Sequence, residues 1–178
     1  GSPAEVTAAL VTAGTKVEAT NATVEITSNP SISELNDIAA ETGGVVKATL
    51  AANSLSNLGS LSTASTDEIT IIVNDAASTT VTATALSTLG GKTAGTVTVS
   101  NAVHITGDHE QVTAALVTDA TKVDAGTATV TIDDANGTAI DATELSAIGG
   151  KTSDTVTVSN AVHITGDHEQ VTAALVTD

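Results

Sequence analysis

The feature that most limits how this chain can fold is that it repeats itself. Thr96 to Asp119, TVTVSNAVHITGDHEQVTAALVTD, recurs without a change as Thr155 to Asp178, at a displacement of 59. The likeness extends upstream: ATALSTLGGKTAGTVTV from Ala83 to Val99 pairs with ATELSAIGGKTSDTVTV from Ala142 to Val158, and Asn74-Asp75 with Asp133-Asp134. A third partial copy opens the chain, where EVTAALVTAGTKVEA from Glu5 to Ala19 matches QVTAALVTDATKVDA from Gln111 to Ala125 at a displacement of 106. A fixed period of this kind marks an array in which each unit buries its apolar face against the next one.

Each 59-residue period holds two related half-units, Thr129 to Asp154 and Thr96 to Ala128. The basic repeat is thus about 26 to 33 residues, a length typical of solenoid units. Both half-units read as an alternating strand, a polar Asn or Asp corner, a second short extended piece and an Ala-rich amphipathic segment. More divergent units fill Pro30 to Asn74. In TVTVS, Val97 and Val99 fall on one face and Thr96, Thr98 and Ser100 on the other; Val130 with Ile132 and Val156 with Val158 repeat the pattern. Helical spacing appears at Leu35 and Ile38, Leu86 and Leu89, Val112 with Ala115 and Leu116, and Leu145 and Ile148. Ser31 to Glu34 and Asp141 to Glu144 have capping-box spacing, with a weaker version at Asp108 and Gln111. Gly43-Gly44, Gly90-Gly91 and Gly149-Gly150 supply stops.

Units that all run in one direction predict parallel strands stacked from coil to coil. The expected fold is an α/β solenoid with a strand ladder on one face and short helices on another; an all-β right-handed solenoid is the alternative. Composition agrees. The chain has 40% hydrophobic residues but no Phe, Trp, Tyr, Met or Cys, so its interior is built from Val, Ile, Leu and Ala, which suit a narrow layered core. The expected organisation is a linker remnant at residues 1–3 and one repeat array over 4–178, near-identical over 68–178 and divergent over 4–67. Val6 to Leu10 and Val171 to Leu175 read as ordinary internal units, not polar caps, which predicts neighbouring repeats or end-to-end self-association as partners.

The strings SISELNDIAAETGGVV and TATALSTLGGKTAGTVTVSNAVHITG resemble the Ala/Thr/Asp-rich tandem repeats of very large secreted surface proteins of cyanobacteria and other aquatic bacteria, a group often placed with calcium-binding RTX-type exoproteins and adhesins. The resemblance covers nearly all of the chain after the leading Gly-Ser. It implies an extracellular or cell-surface structural role and brings no catalytic residues. The GGxGxDxUx nonapeptide that binds calcium in the RTX manner does not occur.

The net charge of −16 is expected to repel nucleic acid and anionic membrane surfaces, and no apolar run predicts membrane insertion. Without cysteine there is no disulfide framework, thiolate zinc site or cysteine nucleophile. No G-x-S-x-G, H-E-x-x-H, P-loop or dinucleotide fingerprint is present, so no enzyme is expected. Two sets of residues have metal-ligand chemistry. His104, Asp108 and His109, duplicated as His163, Asp167 and His168, could offer two imidazoles and a carboxylate to zinc, nickel or copper, or could be a helix cap beside solvated rings. Asn74, Asp75, Asp133 and Asp134 lie at oxygen-rich corners that could chelate calcium, or could be Asx turns and side-chain ladders. The Thr pairs 96/98, 129/131 and 155/157 would form a hydroxyl and methyl array like that of ice-binding solenoids. The favoured expectation is a rigid acidic spacer or adhesive stalk; a divalent-metal module and an ice-binding face are the alternatives.

Overall fold

The computed structural model describes residues 1–176. Its strands are β1 (Val24–Glu25), β2 (Val46–Thr49), β3 (Glu68–Val73), β4 (Thr80–Thr82), β5 (Val97–Val99), β6 (His104–Gly107), β7 (Val123–Asp124), β8 (Thr129–Ile132), β9 (Ala139–Asp141), β10 (Val156–Val158) and β11 (His163–Thr165). Between them lie the helices α1 (Pro3–Leu10), α2 (Ile32–Ala40), α3 (Leu55–Leu58), α4 (Ala83–Gly90), α5 (His109–Val112), α6 (Ala142–Gly149) and α7 (His168–Leu175). The fold is therefore α/β, and the helices exclude the all-β alternative. Every strand pair is parallel, as expected where each unit repeats the direction of the last.

Local chemistry explains where the helices start. Ser2, Ser31, Asp108 and Asp167 each close a reciprocal capping box with the Glu or Gln three residues on, satisfying two backbone donors at once. Asp141 departs from the expected box: its carboxylate takes the Thr143 N–H at 2.8 Å instead. At the start of the chain, α1 begins at Pro3 with Ser2 as its cap. Leu35, Ile38, Leu86, Leu89, Leu145 and Ile148 all face the interior, so helical periodicity was a faithful guide to burial.

The strands form a five-stranded sheet β1-β2-β3-β5-β7, a four-stranded sheet β10-β8-β6-β4 and a two-stranded sheet β11-β9. One ladder was expected, and three are present. The register explains the difference. Ile71 lies opposite Val97 and Val97 opposite Val123, while Thr80 lies opposite His104 and His104 opposite Thr129. In the repeat region the residue number thus advances by 24 to 26 at each pairing step, and two steps fall short of 59. The half-unit starting at Thr96 contributes a third strand, β7, so the next half-unit enters one sheet over. β3 and β5 lie in the five-stranded sheet and their copies β8 and β10 in the four-stranded one; β4 and β6 lie in the four-stranded sheet and their copies β9 and β11 in the two-stranded one. The duplicated segments are not related by a simple shift along the strand-pairing direction.

A single apolar cluster runs from Val24 to Ile148, without aromatic residues. Each fully buried Val, Leu or Ile adds about 1.5–3 kcal/mol relative to exposure, so many small contributions replace the few large ones that aromatics would give. The cluster thins at the ends. Val97, Val103 and Ile105 are all buried, with Val97 and Ile105 at 0% exposure, while their counterparts in the second copy, Val156, Val162 and Ile164, are only partly buried.

Candidate functional site

The corners between strands, where Asn, Asp and His cluster, carry most of the side chains capable of chemistry. Each such corner follows a strand whose last residues point alternately in and out, and it is held to the adjacent unit by side-chain to backbone bonds. Ser100 Oγ donates to Val73 O at 3.0 Å, and Asn101 Nδ2 donates to Asp75 O at 2.8 Å. Their copies Ser159 and Asn160 do the same to Ile132 O at 3.1 Å and Asp134 O at 2.7 Å. The corners are thus laddered by amide and hydroxyl donors on carbonyls.

The acidic corner residues divide by face. Asp134 is buried; its Oδ2 accepts the backbone N–H of His109 at 2.8 Å and its Oδ1 lies 2.7 Å from His109 Nδ1. Asp75, its counterpart in the preceding repeat, accepts the Leu55 N–H at 2.7 Å. Both carboxylates therefore sit at the first residue of a helix belonging to the preceding unit, where free N–H groups and the helix dipole favour negative charge. Asp133 and Asn74 are exposed.

The histidines go separate ways. His104, on β6, is half-buried with Nδ1 2.8 Å from Thr129 Oγ1 and Nε2 3.1 Å from Thr131 Oγ1. His109 packs against Asp134, with Glu144 3.9 Å from Nε2. Burial pulls the His109 pKa down, but the hydrogen bond and charge of Asp134, helped by Glu144 and Glu110, outweigh it and hold the imidazole above its ordinary value. Asp108 accepts the Gln111 N–H at 2.8 Å as a helix cap. In the second copy Asp167 caps α7 through the Gln170 N–H at 2.9 Å, and His163 and His168 are exposed. Among the described residues, no group of three or more His, Asp or Glu is placed to hold a metal ion.

Sequence reasoning missed two kinds of residue. Thr93, 1% exposed, accepts the N–H groups of Ile69 and Gly95 at 2.8 Å and donates to Ile69 O, also at 2.8 Å. Thr42 and Thr152 repeat its inward donation, to Ala22 O and Ala128 O. The signal for them was Thr beside Gly-Gly at all three places, TGG at Thr42 and GGKT at Thr93 and Thr152. Asp67, 3% exposed, takes the N–H of Val46 and of Ala64, both at 2.8 Å. The Thr pairs are split between two sheets: Thr96 and Thr98 flank or lie in β5 of the five-stranded sheet, the other two pairs in or beside the four-stranded one, where Thr131 lies opposite Thr157 and His104 engages Thr129 and Thr131.

The chain matches no protein-family model, no curated protein and no solved structure. Among the described residues no helix is long and apolar enough to cross a membrane.

Proposed function

We propose that this chain is a non-enzymatic structural repeat segment, a solenoid whose coils each correspond to one strand-pairing step and whose role is that of a rigid, acidic spacer or adhesive stalk at an extracellular surface, as its likeness to secreted tandem-repeat proteins implies. The observation that carries this reading is how the polar side chains are used. Thr93 on Asp67 and Ile69, Asn101 on Asp75, His109 on Asp134, Thr152 on Ala128 and Asn160 on Asp134 all bridge positions 24 to 26 apart, the same interval that separates paired strands. Groups that an active site would keep free are committed to joining one coil to the next.

Such a design suits a spacer, because stiffness comes from bonds repeated at every level and length from the number of repeats. Strands stack about 4.8 Å apart, so each additional 59-residue unit should lengthen the rod by about 11 Å. The test is small-angle scattering on dilute protein with and without one inserted copy of residues 96–154. Growth along one dimension at constant cross-section is expected; growth in all directions overturns the reading.

A further inference from the structure

We propose that the chain associates head to tail, with the groove at its C-terminal end receiving residues Thr12 to Ile26 of a second copy and α7 taking the place of that copy's α1. This rests on the coil reading above and names the partner that completes the last coil.

The duplicated segment supplies its own comparison. In the first copy, the stretch that follows α5 and its π-helical continuation (Thr113–Val117) folds over the preceding helix and strand. Thr121 is buried against Gly90, so closely that a Cβ on Gly90 would stand 2.2 Å from Thr121 O. Val123 pairs with Val97, and Val97 N–H donates to Lys122 O at 3.0 Å. In the second copy no described residue occupies the corresponding seat. Gly149, the counterpart of Gly90, has no atom of the described residues within 4 Å of its Cβ position. A groove of about 810 Å³ lies there, lined by Leu145, Gly149, Thr152, Thr155, Val156 and Leu175. β10 and β11 are sheet edges, whereas their counterparts β5 and β6 are paired on both sides.

The N-terminal segment matches what fills this seat in the interior, in sequence and at several points of its backbone. Thr15, Lys16 and Val17 repeat Thr121, Lys122 and Val123, and the identity resumes at Ala22, Thr23, Val24 and Ile26 against Ala128, Thr129, Val130 and Ile132. Lys16 and Lys122 share a left-handed backbone, with φ of 56° and 51°. Thr12 N–H donates to Thr7 O as Thr118 N–H does to Thr113 O, both at 3.0 Å, and Thr27 N–H donates to Gly1 O at 2.9 Å as Asp133 N–H does to Gly107 O at 3.0 Å. The covering shape is therefore formed in part; it differs at Gly14, whose φ is 97° where Ala120 lies in the short helix Asp119–Thr121. Its apolar side is uncovered: Val17 is 51% exposed, and Leu175 at the other end 57%.

Because Gly1 stands where Gly107 does, α1 and α7 are both versions of the helix that opens at His109. At a junction the two would claim one position. Neither buries a residue completely, whereas Val112, Ala115 and Leu116 of the interior version are all buried. Seating α7 of one copy beneath α2 of the next, with α1 released, gives one helix covered on both sides in place of two covered on one. The surfaces joined are different, so the contact does not close on itself and the assembly grows as a filament.

Two single-residue variants of this 178-residue chain test this by sedimentation velocity over a concentration series. Gly149→Ala blocks the groove in a place where the free chain has room, and Val17→Asp spoils the covering segment where it is exposed. The parent chain is expected to grow beyond dimers, and each variant alone to weaken association at least about tenfold while keeping the parent's melting temperature or, for Gly149→Ala, raising it. An equimolar mixture of the two is expected to form a dimer and stop, since one intact groove meets one intact segment. A parent that stays monomeric to about 1 mM, growth that ends at a dimer, or a variant that assembles like the parent overturns the proposal. The shape of the dilute monomer reports separately on the coils, so the two readings fail independently.

Discussion

At the scale of single residues, the fold is held by a few polar side chains whose value depends on facing inward. Asp133 and Asp134 are neighbours in sequence, yet only Asp134 is buried and bonded to both the backbone and the ring of His109. Replacing Asp134 with Ala leaves those donors unmet and is expected to cost about 1–3 kcal/mol, while Asp133→Ala stays within about 0.5 kcal/mol; urea unfolding distinguishes them. The same pair sets a pH dependence. The folded-state pKa of His109 is raised above its ordinary 6.5, so its contribution is fully present below that value and is lost as pH rises through the folded pKa. Stability is expected to fall on going from about pH 6 to pH 8, with His109→Gln flattening that slope in a melting series. None of this inward or outward choice was legible in the motif itself. Adjacent acids look alike in a sequence, and the backbone partners of the corner carboxylates Asp75 and Asp134 lie 20 and 25 positions away.

Among elements, identical sequences give a direct measure of what context adds. HEQVTAALV forms four α-helical residues and a π-helical turn in the first copy, where Thr121 Oγ1 donates to Ala115 O at 2.8 Å, and a continuous helix through Leu175 in the second. The strands behave likewise, and so should their energetics. Ile105→Ala is expected to cost about 2–5 kcal/mol, within the range for buried aliphatic truncations, and Ile164→Ala less than half of that; chemical denaturation of the two variants provides the check. Helices and strand faces were readable because apolar periodicity records the side that is buried. The number of sheets was not, because it depends on β7, a two-residue strand without an alternating pattern of its own.

For the whole molecule, the decisive quantities are charge and register. A net charge of −16 with five lysines repels itself, and the Lys47–Glu68 bridge, with both side chains about half exposed, offsets little of that. Raising sodium chloride from about 10 mM to about 300 mM is expected to increase the melting temperature by screening and to promote end-to-end growth. Calcium at matched ionic strength is expected to add no further shift, since the inward carboxylates already accept backbone N–H groups. Register has the longer reach. Because the sequence period is longer than two pairing steps, each duplication is carried sideways to the neighbouring sheet, as a mark painted at fixed intervals on a cord winds around the post it wraps. An array extended this way would offer the same loop to its surroundings at successive azimuths, so a binding partner approaching from any side would find a copy turned toward it.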